Sequence, residues 1–311
     1  MPGRTDSSGP TLVTPSLLRE WPLPPPGRDK YSRGSVLVVG GARATPGAAL
    51  LAGATALRAG AGKLTLAVAE SVAVQLGVAL PECGSIGLPE TADGSVKPEL
   101  DRISSYLDKA DTVLVGPGLD DPDLAAQLLA VLLEREAGRG GPSGGDPDAR
   151  GGPAVVLDAY ALGALVSLED QLDPWRGRMI LTPNRTEAEV LLGREVDDLE
   201  ADLAEISDRF DAVVSCQGLV TQPPGLELGE PELWKITTGH GGLGTSGSGD
   251  VLAGAIAGLR ARGTSSAQAA CWGTHLHASA ADRLASRLGP LGFLARELAD
   301  ELPALMLEFS V

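Results

Sequence analysis

The 311-residue chain is short of aromatic rings, cysteine, histidine and positive charge, and each shortage removes a class of function. Phe, Trp and Tyr together make up 3% of it, so the interior has to be assembled from Ala, Val, Leu and Ile. The cysteines, Cys83, Cys216 and Cys271, lie far apart in apolar surroundings. That spacing offers neither a disulfide framework nor a C-x-x-C pair, and reads as buried thiols in a reducing compartment. With 25 basic against 41 acidic residues the formal net charge is -16, which repels DNA, RNA and anionic lipid. Neither nucleic acid nor a membrane is therefore an expected partner. The first residues, MPGRTDSSGPTLVTP, lack the apolar stretch of a secretion signal, and no later segment is apolar for the length of a membrane span. A cytoplasmic protein is expected.

What the chain does have is pattern. Its hydrophobic fraction of 43% falls into short unbroken runs, SVLVVGG, KLTLAVA, TVLVGPG, AVVLDA, MILTP, AVVSCQG and LWKITTG, as expected of strands buried on both faces. Between them lie helix-like segments: GAALLAGATALRAG, ESVAVQLGVAL, DPDLAAQLLAVLLEREAG, RTEAEVLLG and LEADLAEISDRF. This alternation predicts an α/β fold, a mainly parallel central sheet with helices on both faces, in one domain over residues 31–311. From Asp250 onward the chain reads as consecutive helices. Residues 1–30, with WPLPPPG at their centre, read as a Pro-rich arm with little regular structure that packs against a neighbour, and 138–153 as a flexible loop.

In open α/β sheets ligands gather beyond the carboxyl ends of the strands, so the strand-to-helix turns carry the chemistry. The turn before Asp250, TTGHGGLGTSGSGD, is the richest in glycine. Without Cβ atoms, such a run aims successive backbone N–H groups at one point, and the following helix adds the positive end of its dipole. The result is an anion cradle suited to phosphate. A carboxylate at its edge repels that guest unless it has another task, such as taking a proton from an attacking hydroxyl with Mg²⁺ and amides neutralising the phosphoryl oxygens. The competing reading is a helix cap at Asp250. Gly242 to Gly247 matches G-x-G-x-x-G, but no strand with a ribose-binding acid follows, and the Gly-Asp ending is not a Walker A lysine.

Gly247-Ser248-Gly249-Asp250 followed by VLAG resembles the G-x-G-D anion hole and base of ribokinase-like kinases, and Asn184-Arg-Thr-Glu187 resembles their N-x-x-E motif. Within that superfamily the chain is most similar to the ADP/ATP-dependent NAD(P)H-hydrate dehydratases. The similarity runs through LVVGGARATPGAALLAGATALRAGAG, VGPGLDD, LTPNRTEAEVLLG, CQGLVT and TTGHGGLGTSGSGDVLAG, in order, from about Leu18 to Leu284. The resemblance implies a ribokinase-like fold and a repair enzyme that uses ADP or ATP with Mg²⁺ to return hydrated NADH or NADPH (NADHX, NADPHX) to the reduced coenzyme. It implies Asp250 as base; Ala48, Gly118, Asn184 and Asp250 against the hydrated dinucleotide; and Gln217, Gly218, Leu219, Val220, Thr221, Gly247, Ser248 and Gly249 at the adenine nucleotide. Glu187 is implied as a water-mediated metal group, and the expected assembly is a homo-oligomer, a tetramer in particular.

Three positions depart from many relatives. Gln217 stands in place of lysine, which removes a positive charge near the phosphates. Tyr160 stands where a second aspartate is usual, and Asn184 where histidine is. The rival readings are a small-molecule kinase of the same superfamily and a catalytically silent nucleotide binder, the latter hinted at by Gln217 and Tyr160. Among other candidates, His275 and His277, two apart, face different ways on a helix and make a poor zinc pair. His240 reads as a hydrogen-bonded loop histidine. Asp158 either helps to place Mg²⁺ or caps the next helix, and Arg58 and Lys63 read as solvated charges.

Overall fold

The computed structural model describes residues 9–138, 152–227, 232–239 and 241–310. His240 and most of the 138–153 segment lie outside them. In chain order the described elements are β1 (Thr11–Leu12), α1 (Pro15–Glu20), β2 (Ser35–Val39), α2 (Pro46–Arg58), β3 (Lys63–Ala69), α3 (Glu70–Ala79), β4 (Gly84–Leu88), α4 (Ser104–Leu107) and β5 (Thr112–Val115). There follow α5 (Pro122–Gly138), β6 (Ala154–Leu157), α6 (Tyr160–Ser167), β7 (Met179–Leu181), α7 (Arg185–Leu192), α8 (Leu199–Phe210), β8 (Ala212–Cys216) and β9 (Leu219–Thr221). The chain closes with β10 (Leu233–Lys235), α9 (Ser248–Ala261), α10 (Ser266–Leu288) and α11 (Ala295–Phe309).

The strands form one sheet in the order β1-β10-β9-β8-β7-β6-β5-β2-β3-β4. From β8 to β4 every neighbouring pair is parallel, while β9 runs antiparallel to both β8 and β10. The unalternating runs are explained by burial on both faces. In β2, Val36 and Val38 join one core cluster and Leu37 and Val39 the other, and Leu114 against Val113 and Val115 of β5 repeats the division. Because β3 and β4 lie beyond β2 while β6, β7 and β8 lie beyond β5, the strand order reverses between β2 and β5. This is a topological switch point, where a crevice opens at the carboxyl ends. Among the described residues no helix is long and apolar enough to cross a membrane.

Shortage of large side chains lets α2 and α9 meet backbone to backbone. A Cβ on Gly254 would sit 2.2 Å from the Ala52 carbonyl oxygen, and one on Gly258 would sit 2.4 Å from that of Ala56. Two small-residue rows one turn apart thus lock the helices in register. Gly254→Val should therefore destabilise the protein by about 3 kcal/mol in urea unfolding, because the helices have no room to absorb the overlap without parting. An unchanged midpoint would show that they can separate freely.

The N-terminal segment is more structured than its composition suggests. Val13 donates its N–H to Lys235 O, extending the pairing of β1 on the edge strand β10. Thr14 caps α1, Leu18 is fully buried, and Trp21 stacks on Trp234 at 6.0 Å. Trp272 Nε1 and Gln268 Nε2 both donate to the Trp21 carbonyl. Prolines give the segment an irregular look, but Val13 and Leu18 are buried in the main core, while Leu12 stays exposed. Strands β4 and β9 and helix α6 also went unread, the strands being short and the first containing two glycines.

Candidate active site

Parallel strands deliver their carboxyl ends to one edge, and the turns after β2, β5, β6, β7 and β8 all carry residues named above. At the switch point the β2 and β5 turns interlock. Thr45 Oγ1 donates to Gly118 O at 2.8 Å, and Ala42 N–H donates to the same oxygen at 2.8 Å. With both loops tied, a Cβ on Gly118 would lie 3.2 Å from Ala48 Cβ, so the two expected substrate positions are neighbours.

Helix α9 enters beside them. Gly247 has φ 89°, a left-handed conformation that costs a residue with Cβ dearly, and no side chain caps the helix it precedes. A Cβ here would also strike Leu51 of α2 at 2.6 Å. Ser248 N–H is taken by Thr245 O at 3.2 Å, and the first-turn amides that follow it are left without a side-chain cap at the positive end of the dipole. Asp250 lies within that first turn and makes no cap, so the capping alternative fails for it. It fails for Asp158 as well, since α6 has no side-chain cap.

Three carboxylates gather here. Asp158 is 6% exposed and accepts from Thr182 Oγ1 at 2.8 Å. Burial pushes its carboxyl up to about 7; the Thr182 hydrogen bond opposes this, and the charges of Asp250 and Glu187 reinforce it. Burial likewise raises Asp250 to about 6. Glu187 is also raised by burial, against the hydrogen bond from Asn184 N–H at 2.9 Å. Asn184 returns the contact, its Oδ1 accepting from Glu187 N–H at 2.9 Å, a reciprocal cap that fixes both residues at the start of α7. None of the three carboxylates has an ion-pair partner among the described residues; Arg185, the nearest in sequence, turns to Glu189 instead.

Such unpaired negative charge calls for a cation. Hard carboxylate oxygens suit Mg²⁺, which keeps most of its waters and takes one or two carboxylates along with substrate phosphates. Among the described residues no group of three or more potential ligands is arranged around one point. The donor set therefore fits a hydrated ion held partly by a nucleotide and does not fit a dedicated protein cage.

The nucleotide positions divide. Gln217 and Gly218, at φ 48° and 81°, form the two-residue turn of the β8–β9 hairpin, and Gln217 is exposed. The turn adjoins the carboxylates, since the Glu187 charge helps burial to push the Cys216 thiol up to about 12. Leu219, Val220 and Thr221, by contrast, are buried in β9 and paired to strands on both sides. Their side chains build the sheet, and only the turn they support meets solvent.

One contact escaped the sequence reading. Ser248 Oγ lies 2.9 Å from His277 Nε2, both residues being buried. No spacing rule links residues so far apart on different helices. His275 points elsewhere, its ring edge-on to Phe309 at 5.0 Å. Arg58 pairs with exposed Asp300, and Lys63 lies over the Tyr31 ring, surface roles for both. Tyr160 is half exposed after Ala159, whose φ of 52° is rare for a residue with Cβ.

Sheet order, switch point and uncapped α9 define a ribokinase-like α/β protein. A ribokinase-like superfamily protein from Enterococcus faecalis shares this fold with a TM-score of 0.78 at 20% identity, covering 99% of both chains. The chain belongs to the NAD(P)H-hydrate dehydratase family, whose profile matches residues 36–304. It is 38% identical to the ADP-dependent (S)-NAD(P)H-hydrate dehydratase of Xanthomonas campestris, over 94% of this chain and 95% of that one. The Bacillus subtilis ADP/ATP-dependent enzyme, co-crystallised with ATP and Mg²⁺, superimposes with a TM-score of 0.72 at 25% identity, covering 97% of this chain and 100% of that one. The chain spans about half the length of the bifunctional NAD(P)H-hydrate repair enzymes it also matches (49% for that of Moorella thermoacetica).

Proposed function

We propose that the protein restores hydrated NADH and NADPH to the reduced coenzymes at the expense of ADP, with ATP as an alternative donor. The observation that carries this is the meeting of an uncapped α9 with Asp250, Asp158 and Glu187, three unpaired carboxylates at the switch point. Amides alone make a phosphate-binding site; a raised, unpaired carboxylate one turn into the helix adds a base.

In this reading the ionised Asp250 carboxylate takes the proton of the ring hydroxyl. The freed oxygen forms a bond to the terminal phosphorus of ADP while the bond from that phosphorus to the bridging oxygen breaks, releasing AMP. The amides at the start of α9 receive the negative charge on the phosphoryl oxygens as it shifts. Loss of the ring C–O bond then expels phosphate, and release of a proton from the adjacent ring carbon to solvent lets its C–H electron pair restore the dihydronicotinamide double bond. Ala48 and Gly118 present a surface without long side chains to the dinucleotide, Asn184 fixes its position, and the Gln217–Gly218 turn holds the adenine nucleotide. Mg²⁺, met through water by Glu187 with Asp158 nearby, would screen the phosphate charge from the carboxylates.

A kinase acting on a small alcohol would use the same cradle, so the test follows the coenzyme. Purified protein mixed with hydrated NADH, Mg²⁺ and ADP should restore the near-ultraviolet absorbance of reduced nicotinamide, faster than with ATP. No recovery with either nucleotide, despite measurable ADP binding, would favour the silent binder. Gln217 adds a finer expectation. Gln217→Lys supplies a charge-assisted contact to phosphate in place of a neutral one and should lower the KM for ADP about fivefold with little change in kcat. An unchanged KM would place the turn away from the phosphates. A homo-oligomer, tetrameric in particular, and a cytoplasmic location belong to the same proposal; light scattering of the purified protein tests the first.

A further inference from the structure

Helix α10 grips the glycine-rich stretch at both ends. Near one end Asp282 Oδ2 accepts the Gly239 N–H at 3.0 Å; at the other, Ser248 Oγ meets His277 Nε2 at 2.9 Å. Asp282 holds a main-chain donor, whereas His277 holds a side chain at the first position of α9.

A serine at the start of a helix is prone to bond to the local backbone, because its short hydroxyl reaches neighbouring amides. In this site that habit would be harmful, since the amides are the phosphoryl donors and α9 has no side-chain cap. Ser248 does not adopt it. Its own N–H is satisfied by Thr245 O at 3.2 Å, and its hydroxyl is turned to the histidine. His277 is 7% exposed, and burial lowers its pKa to about 4 against a backbone hydrogen bond with Ser248, so the ring stays neutral, with one nitrogen a donor and the other an acceptor.

We propose that His277 is the positioning residue of the phosphoryl cradle: by accepting a hydrogen bond from the Ser248 hydroxyl it keeps that hydroxyl off the first-turn amides of α9 that follow Ser248, which stay free for a phosphoryl oxygen. The inference rests on the dehydratase reading only for the identity of the phosphoryl donor. His277 does not touch the substrate; it acts through Ser248.

The test is a double-mutant cycle on ADP affinity, measured by calorimetry on the full chain without hydrated coenzyme. His277→Leu should weaken ADP binding about tenfold, on the scale of one buried hydrogen bond, and His277→Gln, which keeps a neutral acceptor, should stay within about threefold of wild type. Ser248→Ala removes the competing hydroxyl, so adding it to His277→Leu should recover most of the lost affinity. A merely structural role for His277 would not be rescued in this way. Should His277→Leu fail to fold, His277→Asn, whose shorter amide falls away from Ser248, takes its place. Affinity within twofold of wild type for the folded variant, or losses that add in the double variant, would overturn the proposal. A wild type that binds ADP but restores no NADH would end the dehydratase reading and leave this cycle intact.

Discussion

Asp250→Asn should leave a folded protein that still binds ADP and has lost about a hundredfold to ten-thousandfold in kcat. The loss follows from what asparagine can and cannot do. It matches aspartate in volume, and Asp250 makes no cap that the change could remove, so α9 should form as before. It cannot accept the hydroxyl proton. Removing a negative charge beside a phosphate site should, if anything, tighten ADP binding. The wild type should show an acidic limb in its rate profile near pH 6, where burial places the Asp250 carboxyl, with activity rising as the base ionises. An asparagine variant with near-normal turnover, or one whose ADP affinity collapses along with its rate, would contradict the assignment of the base.

Asp158→Asn should raise stability at about pH 8 and do so less as the solution is acidified. The carboxyl titrates near 3.8 in the unfolded chain and at about 7 when folded. Between those values the folded protein holds a proton that the unfolded chain has released. The stabilising effect of that proton is fully present below the lower value, is lost as pH rises through the upper one, and stays lost beyond it. The shift corresponds to about 4 kcal/mol as an upper figure. Asparagine at 158 is neutral throughout and can still accept from Thr182, so its stability should lack this slope. Urea unfolding without nucleotide or divalent cation would show it; parallel pH curves for the two proteins would mean that Asp158 is not held uncharged by its surroundings. A residue that costs stability at working pH is the kind a functional site retains.

Both predictions concern carboxylates visible in the sequence, yet only one was legible there as chemistry. Asp250 stood out because glycines before it and small residues after it leave a carboxylate few other uses. Asp158 looked equally like a cap, and what separates the readings is burial against Thr182 from the next strand, which no local pattern encodes. The sheet itself was readable, because its strands are buried on both faces and so appear as unbroken apolar runs. Where burial is partial the signal fades, as in β4, whose Gly-Ser-Ile-Gly-Leu lies on the sheet edge. Proline content rightly spoke to the local conformation of the N-terminal segment, where only the two-residue β1 and the six-residue α1 are regular among its described residues, but not to its docking, since Trp21 is held by Trp272 and Trp234, more than two hundred positions away. His277 was weighed as a metal ligand and set aside, and its partnership with Ser248 depends on how α9 and α10 cross.

The most direct test of the account concerns the passage of phosphate. Hydrated NADH should be incubated with the enzyme, Mg²⁺ and ADP, and orthophosphate, AMP and reduced coenzyme counted together over time. Transfer to the ring hydroxyl followed by elimination predicts one orthophosphate and one AMP for each NADH restored, and no NADH when ADP is left out. Recovery of NADH without nucleotide, or without matching release of phosphate, would contradict it.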